Sequence, residues 1–405
     1  MAQERTRMSH SISMTDAEIR PGVIHFALAI GGFAIGTSEF AAMALIPYFS
    51  PALGISDTVA SHVISAYALG VVVGAPVLAV LGARWPRRTL LIALMIVYAV
   101  AHVASAFAQS YEGMLVYRFV SGLPHGAYFG VASLMAASVV PRGQRSKAVA
   151  RVMTGLTVAT VLGVPFANVL GQTVGWRYGF GIVAILALAC AVLVWTYAPK
   201  VDAPRTGSPL SELSALGNRQ VLLTLLTGAV GFGGFFAVYS YVASTTIHVT
   251  QAGEAAVPFV LAVMGVGMVV GTIVVGWLSD RWPNLAPFGV MACSGALMLL
   301  YAPASGMLGT LMPLVFLIGM TGALSTPLQS RLMDVAGEAQ TLAAALNHSA
   351  FNVANAIGPA LAATAIAAGY GYQSSGYVGA LLSVGGILCF ALTLADARRS
   401  ASPAR

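Results

Sequence analysis

The chain has very few charged residues for its length. Only 8% of its 405 residues are Asp, Glu, Lys or Arg, whereas 58% are hydrophobic and the mean hydropathy is +0.84. A soluble domain carries about 25% charged residues, because its surface must face water. The shortage of charge therefore excludes a soluble protein. The many runs of about 20 apolar residues predict membrane-spanning helices rather than the strands of a barrel.

Other features are scarce or missing, and each excludes a class of protein. The three cysteines, Cys190, Cys293 and Cys389, lie singly in apolar runs without metal or redox spacing, so we interpret them as packing residues. The sequence has no glycine-rich Walker loop, nucleophile elbow or metal-ligand cluster. We therefore expect no cofactor, no metal site and no enzymatic activity. No cleavable signal peptide is evident, because the first 22 residues are polar and a full-length span follows them.

The apolar runs predict twelve helical spans with one clear orientation. Eighteen of the 20 Lys and Arg residues lie on one side of the membrane if the N-terminus is cytoplasmic, only Arg177 lies outside, and Arg118 falls within a span. This positive-inside bias predicts that both termini are cytoplasmic and explains the net charge of +7, so nucleic acid is not an expected partner. The predicted spans are 23–47, 58–82, 88–109, 113–139, 147–170, 177–198, 220–245, 256–279, 287–304, 310–333, 341–367 and 376–396.

A polar segment divides these spans into six and six. It runs from Lys200 to Arg219 and is rich in Pro, Gly and Ser, which is typical of a linker. The predicted organisation is a cytoplasmic tail (1–22), an N-terminal six-helix bundle (23–198), a cytoplasmic linker (199–219), a C-terminal six-helix bundle (220–396) and a cytoplasmic tail (397–405).

The two halves also repeat each other at an offset of 197 residues. Gly70–Pro86 (GVVVGAPVLAVLGARWP) then aligns without a gap on Gly267–Pro283 (GMVVGTIVVGWLSDRWP). An even number of spans separates equivalent points, so the repeats are parallel and predict a substrate site between the halves near the membrane midplane. Three further glycine pairs share the offset: Gly31 with Gly228, Gly36 with Gly233, and Gly122 with Gly319.

Several motifs resemble signatures of the major facilitator superfamily. GARWPRR (82–88) resembles its loop between spans 2 and 3, YRFVSGLPHGA (117–127) its fourth-span signature, and GLTVATVLGVPFANVLG (155–171) the fifth-span signature of its antiporters. GTSEF, SGLPHGAYFGV, GWRYGF and GFGGFFAVYSY are similar to the twelve-span drug:proton antiporters, in the arabinose-efflux-permease-like and chloramphenicol-efflux-like branch. The resemblance covers essentially the whole chain. It implies an all-α membrane protein with twelve transmembrane helices in two parallel six-helix repeats.

The sequence departs from the family pattern at a few positions. Ala83 replaces the usual aspartate of the first-half loop and Pro86 the usual glycine, while Asp280 and Arg281 keep the pair in the second half. In the fifth span, Gly163-Val-Pro165 is followed by Phe rather than by paired glycines.

Glu39, in the GTSEF stretch, is the only acid deep within a predicted span, and Arg118 is the only base. Ionisable residues at such depth are costly and are by default functional candidates. Both lie in the outer half of the membrane, at about 12 Å and about 8 Å from its outer side. Burial favours a neutral carboxyl and a nearby guanidinium favours a charged one, as proton coupling requires. Proton coupling, substrate contact and a static ion pair all fit this pattern. In the second repeat Glu39 aligns with Phe236, so the acid belongs to the first half alone.

Other polar and aromatic residues within the spans extend this candidate site. His125 follows Pro124 in span 4 and is either a proton relay or ligand, or a neutral core residue. His348, Asn352 and Asn355 share one face of span 11, and either line a cavity or bond neighbouring helices. The aromatic residues of span 7 are either packing or an apolar substrate wall with hydroxyl groups, and Phe236 and Tyr239 are the substrate-contact candidates there.

Two further groups are candidates for gating and for close helix packing. The gating candidates in the first half are Arg84, Arg87 and Arg88. They either follow the positive-inside rule and contact lipid or, as the family resemblance implies, form a gate latch. In that case Asp280 and Arg281 of the second-half loop would form the stronger latch. Small residues and prolines permit close approach and bending in spans 5 and 11. The packing candidates are Gly155, Gly163, Pro165, Gly358 and Pro359.

The residues and the resemblance together predict a bacterial inner-membrane secondary transporter. It would export a small organic solute or a chloramphenicol-like drug in exchange for protons, by alternating access. We expect a small-molecule substrate, protons and the lipid bilayer as partners, and a monomer. The alternatives with the same fold are a sugar or nucleoside exporter, or a proton-independent facilitator. A membrane sensor or membrane-embedded enzyme would need an attached domain or catalytic group that the sequence lacks.

Overall fold

The computed structural model describes residues 20–82, 85–141, 144–200, 217–336 and 340–401, and within these ranges every regular element is a helix. Arg84 and most of the predicted linker and N-terminal tail lie outside the described residues. The helices of the first half are Pro21–Ala44 and Ile46–Ala52 (span 1), Asp57–Ala60 and His62–Gly82 (span 2), Arg87–Ala106 (span 3), Tyr111–Ser138 (span 4), Arg145–Val158 and Val164–Leu170 (span 5), and Trp176–Tyr197 (span 6).

The second half follows the same order of spans. Its α-helices are Arg219–Gly231 and Gly233–His248 (span 7), Val257–Arg281 (span 8), Ala286–Leu299 and Tyr301–Ala304 (span 9), Leu308–Thr321 and Ser325–Val335 (span 10), Gln340–Ala365 (span 11), and Ser374–Ala401 (span 12). Short 3₁₀ turns occur at Glu254–Ala256 and Gly322–Leu324, and a π-helical turn at Ile366–Tyr370 closes span 11.

Nine of the described helices are long and apolar enough to cross a membrane. One of them, Lys147–Tyr197, is 51 residues long and contains both span 5 and span 6. Span 4 adds a 28-residue helix, and span 9 a 14-residue apolar helix with a short extension. The twelve predicted spans are therefore all helical.

Span 5 differs in detail from the prediction. Its α-helix is interrupted by a π-helical turn at Ala159–Gly163, and a second one at Gly171–Gly175 replaces the expected loop before span 6. Pro165 sits in the first turn after the first interruption, where its missing N–H costs little. Gly175 has φ 127°, a conformation that favours glycine, and it marks the turn into span 6.

The internal repeat is visible at the level of single contacts. A Cβ added to Gly70 would lie 2.1 Å from the carbonyl oxygen of Phe119 and 3.1 Å from Cα of Gly122, so spans 2 and 4 touch backbone to backbone. In the second half a Cβ on Gly267 would lie 2.1 Å from the carbonyl oxygen of Phe316 and 3.2 Å from Cα of Gly319. All three pairs of equivalent residues differ by 197, as the alignment predicts. The two halves therefore share one packing scheme, and they meet where span 2 packs on span 11, span 5 on span 8, and span 1 on span 7.

Candidate functional site

Glu39 lies in the middle of the protein, at the interface between the two halves. Every residue from Ala34 to Ala44 is buried, so this part of span 1 is enclosed on all sides rather than facing lipid. The Glu39 side chain is 8% exposed, and its Oε1 accepts a hydrogen bond from Nδ2 of Asn355 in span 11 at 3.2 Å. The acid of the first repeat is therefore held by an amide of the second.

Aromatic rings surround this contact on the span 7 side. The ring of Phe40 lies 6.2 Å from that of Phe236 in a stacked arrangement, and 5.0 Å from that of Tyr239 edge-on. The rings of Phe235 and Tyr239 are 5.6 Å apart. Two of the predicted substrate contacts, Phe236 and Tyr239, therefore lie beside Glu39 and Asn355, in a mostly apolar wall that carries few polar atoms.

Some of the buried polar atoms here lack a hydrogen-bond partner within the described part of the chain. They include the Tyr239 hydroxyl and the carbonyl oxygens of the Asn352 and Asn355 side chains. A buried polar atom without a partner costs about 1–3 kcal/mol, so such atoms are uncommon and need an explanation. A polar solute bound between spans 1, 7 and 11 would supply the missing partners.

Arg118 of span 4 is fully buried and belongs to a different network, inside the first half. Its Nη1 donates to Oγ of Ser38 at 2.9 Å and lies 3.4 Å from Nε2 of His102. Ser38 Oγ in turn lies 2.5 Å from the same His102 nitrogen. The guanidinium carbon sits 4.3 Å from the ring centroid of Tyr67 and 5.5 Å from that of Phe180, close enough for cation–π contact.

Glu39 and Arg118 do not form a direct ion pair. Among the described residues, the ion pair is Arg219 Nε to Asp396 Oδ1 at 3.0 Å, far from this site. Arg118 instead binds Ser38, the residue next to Glu39, so the static ion pair of the alternative interpretation is not present. The two charged groups stay close without neutralising each other by contact.

His125 continues the network of span 4 toward the predicted cytoplasmic side. Its Nδ1 lies 2.9 Å from the Tyr67 hydroxyl, which also lies 3.2 Å from the Tyr98 hydroxyl. The Phe129 ring packs against His125 at 5.4 Å and stacks on His348 of span 11 at 5.8 Å. Polar and aromatic side chains thus lead from Arg118 through Tyr67 to His125, and one ring contact then reaches the second half.

The predicted stripe on span 11 lies in a single α-helix, Gln340–Ala365. Only Asn355 of the three reaches Glu39. Asn352 donates from Nδ2 to the backbone oxygen of His348 at 3.0 Å, and His348 packs on Phe129. The stripe therefore faces the interface between the halves, with Asn355 at the acid and His348 about two turns away.

The gating candidates lie at the ends of the helices. Arg88 donates from Nη2 to the backbone oxygen of Trp195 in span 6, and Arg87 is half-buried at the start of span 3. Asp280 is exposed, and Arg281 packs over the Trp282 ring at 5.7 Å. Arg84 lies outside the described residues. The first-half cluster therefore contacts its own half, and the latch remains a prediction.

The packing candidates make close helix contacts. An added Cβ would lie 2.0 Å from the Ala29 oxygen at Gly155, 2.1 Å from Thr37 Oγ1 at Gly163, and 2.1 Å from the Gly233 oxygen at Gly358. Pro359 lies inside the span 11 helix, and its carbonyl oxygen accepts from the Tyr241 hydroxyl at 3.5 Å. These glycines allow span 5 to touch span 1 and span 11 to touch span 7.

The structure also identifies functional candidates that sequence reasoning missed. One group surrounds Arg118 and consists of Ser38, Tyr67, Tyr98 and His102. Of these, His102 could have been found in the sequence, because it is a histidine within an apolar run, as His125 is. A second missed group surrounds Asp57, at the start of span 2. Its carboxylate accepts from Ser50 at 2.5 Å in its own half, and from Ser244 at 2.8 Å and Tyr372 at 3.1 Å in the other half.

A family model described as the Major Facilitator Superfamily matches residues 28–339. The chain belongs to this superfamily. It is 38% identical over 358 residues to the Inner membrane transport protein YdhP of Escherichia coli (strain K12), covering 88% of this chain and 92% of that protein. It is 35% identical over 379 residues to the Chloramphenicol resistance protein of Streptomyces lividans, covering 91% and 94%. These relatives confirm the predicted branch of the superfamily.

A solved structure confirms the fold of this superfamily member. The crystal structure of D-xylose-proton symporter matches with a TM-score of 0.71 over 91% of this chain and 97% of that one, at 16% sequence identity. The predicted architecture, an all-α membrane protein with twelve transmembrane helices in two six-helix repeats, is therefore confirmed. The protein is a membrane transporter and not an enzyme.

Proposed function

We propose that this transporter exports a small organic solute in exchange for protons, with Glu39 as the protonation site. The observation that carries the proposal is the Glu39–Asn355 hydrogen bond, which joins the two halves directly. Transport by alternating access needs a binding site that both halves share. A carboxyl that changes its proton also changes its hydrogen bonding to Asn355. Proton binding is thereby linked to the relative position of the halves.

The same surroundings suit a mostly apolar solute with a few polar groups. Phe40, Phe236 and Tyr239 offer ring faces, while the Tyr239 hydroxyl and the side-chain oxygens of Asn352 and Asn355 are polar atoms without a described partner. A chloramphenicol-like aromatic amide has this chemistry, and one relative carries that name. The proposal also places the chain in a bacterial inner membrane as a monomer with both termini in the cytoplasm, on the charge bias and the name of the Escherichia coli relative.

The test is proton-driven transport by the purified full chain. In proteoliposomes with an imposed pH gradient, we expect accumulation of radiolabelled chloramphenicol that collapses when a protonophore is added. Glu39→Gln keeps the size and hydrogen-bonding ability of the side chain but cannot release a proton, so it should abolish the gradient-driven component.

The matched control is Glu112→Gln, which makes the same change at an exposed acid in the first turn of span 4. It should transport like the unmodified protein. Full gradient-driven transport by Glu39→Gln would disprove the role of Glu39, and accumulation that ignores the pH gradient would instead favour a proton-independent facilitator. A sugar accumulated in place of chloramphenicol would identify a sugar exporter.

A further inference from the structure

His102 is a buried ionisable group that the proposed function does not use. It lies in span 3 with no exposed surface, and it is enclosed by Ser38 of span 1, Arg118 of span 4 and the Phe180 ring of span 6 at 6.4 Å. Its own helix contributes the Tyr98 ring at 4.2 Å.

The hydrogen-bond partners of His102 determine where its proton sits. Nδ1 lies 2.8 Å from the backbone oxygen of Tyr98, and a carbonyl oxygen only accepts, so Nδ1 carries the hydrogen. Nε2 faces Arg118 Nη1, which only donates, and the Ser38 hydroxyl, which already accepts from Arg118 and has its hydrogen free to donate. Nε2 is therefore the acceptor, and the ring is neutral.

We infer that His102 is a positioning residue of the transport site: its neutral ring accepts at Nε2, orients the Ser38 hydroxyl, and so fixes Arg118 beside Glu39 without an ion pair. The order of donation runs from Arg118 to Ser38 to His102 to the Tyr98 carbonyl. Each of these hydrogen bonds has one fixed donor and one fixed acceptor. If one of them reversed its direction, the next hydrogen bond in the series would be lost. Ser38 is adjacent to Glu39 in span 1, so the arrangement sets the distance between the two charges.

The arrangement also has a direct consequence for acid conditions. A second proton on His102 would turn Nε2 into a donor facing two donors and place a positive charge 3.4 Å from Arg118 Nη1. One of the two cations would then have to move. The other titratable groups nearby are Tyr98 on the same helix, Tyr67 of span 2 beneath Arg118, and Glu39 of span 1, while span 6 contributes the uncharged Phe180 ring. The arrangement therefore disfavours a second proton on His102, and the ring stays neutral.

The inference rests on the proposed proton-coupled export, so its first test is independent of transport. The full chain is labelled with ¹³C,¹⁵N-histidine in lipid nanodiscs, and the His102 ring is assigned by the resonance that disappears in His102→Gln or, if that variant folds poorly, in His102→Asn. We expect a neutral ring with the hydrogen on Nδ1, and a shift of the Nε2 resonance in Ser38→Ala. A ring protonated at Nε2, or no response to Ser38→Ala, would overturn the inference.

The second test uses two uncharged replacements that keep different halves of the imidazole. Gln places a polar atom near the position of Nε2, whereas Asn keeps a donor toward the Tyr98 carbonyl but has nothing at the Nε2 position. We expect His102→Gln to transport chloramphenicol at a rate within about twofold of that of the unmodified protein, and His102→Asn to be about tenfold slower, the upper end of the effect of one lost hydrogen bond.

The outcomes separate this inference from the proposed function. If the unmodified protein shows no gradient-driven transport, the proposed function fails and the histidine resonances alone decide the role of His102. If transport is proton-driven but His102→Asn matches the unmodified protein, or both variants fail equally, the positioning role is wrong and the proposed function stands.

Discussion

Asn355 of span 11 donates a hydrogen bond to the Glu39 carboxylate of span 1 at 3.2 Å, across 316 residues of sequence. This is the direct polar contact between the acid of the first repeat and the second repeat. At the position equivalent to Glu39 stands Phe236, whose ring packs beside the contact. The protein therefore has a symmetric scaffold of spans around a site whose charge comes from one half.

Removing the Asn355 amide should cost both stability and transport. Asn355→Leu leaves the buried Glu39 carboxyl without its described donor, which we expect to lower the free energy of unfolding by about 1.5–3 kcal/mol. Thermal unfolding in detergent measures this loss, and proteoliposome transport should fall with it. Asn168→Leu is the control, because Asn168 is equally buried but donates to the Ala44 backbone oxygen inside the first half. It should destabilise the protein without changing the pH dependence of transport. Equal effects of the two variants on that pH dependence would contradict a special role for Asn355.

Tyr239→Phe should separate binding from stability. The Tyr239 hydroxyl is fully buried without a described partner, so its removal should leave the protein as stable as before or more stable. Chloramphenicol binding, measured by equilibrium dialysis, should weaken by about tenfold because the hydroxyl would otherwise bond the solute. Tyr241→Phe is the matched control, since that hydroxyl does reach the Pro359 oxygen at 3.5 Å. It should reduce stability and leave binding unchanged. Unchanged binding in Tyr239→Phe would remove this hydroxyl from the substrate site.

Spans 2 and 4 touch backbone to backbone, and the equivalent spans of the second half do the same. One methyl group added at this contact should therefore lower the stability strongly. A Cβ on Gly122 would lie 2.1 Å from the Tyr67 backbone oxygen, so Gly122→Ala must push the two helices apart at a cost of about 1–3 kcal/mol. Gly319→Ala should cost the same in the second half, where the equivalent oxygen of Met264 lies at 2.3 Å. Gly130→Ala, later in span 4, meets nothing within 4 Å and should be neutral or stabilising. Melting temperatures of the three variants compare these predictions, and a neutral Gly122→Ala would refute them.

The sequence predicted what depends on composition and on repeats within the chain. The twelve spans, the glycine pairs of the 197-residue offset and the isolated acid Glu39 are all visible as local patterns. The partners of that acid and of Arg118 were harder to predict, because burial does not determine which polar group a side chain meets. An ion pair between Arg118 and Glu39 was one of the alternatives that the sequence left open, but Arg118 contacts Ser38 and His102 instead.

Asp57 was missed for a related reason. It lies at the predicted start of span 2, where an acid is ordinary because it favours the helix N-terminus and the residue before it, Ser56, caps the helix. Its partners Ser244 and Tyr372 are 187 and 315 residues away, so no local pattern connects them. Only the packing of the two halves brings these three residues together.

Loss of the Asp57 carboxylate should allow the two halves to separate at the predicted outer end. Asp57→Ala removes the acceptor of Ser244 and Tyr372 together. Burial and the Asp57 charge raise the pKa of the Tyr372 hydroxyl, so this group stays protonated and keeps donating throughout the neutral and mildly alkaline range. The contact is therefore present at physiological pH in the unmodified protein, and its loss in Asp57→Ala is not a pH effect.

Spin labels on two exposed outer loops measure this separation. Gln109→Cys lies between spans 3 and 4 and Gly306→Cys between spans 9 and 10, and the exposed native Cys293 is first replaced by serine. In Asp57→Ala, pulsed electron spin resonance should show a distance distribution shifted toward longer values, because no polar bridge holds Ser244 and Tyr372 to span 2. Glu112→Ala removes an exposed acid on the same side without touching the second half, and should leave the distribution unchanged. If Asp57→Ala behaves like Glu112→Ala, the apolar packing of the halves alone keeps this end closed.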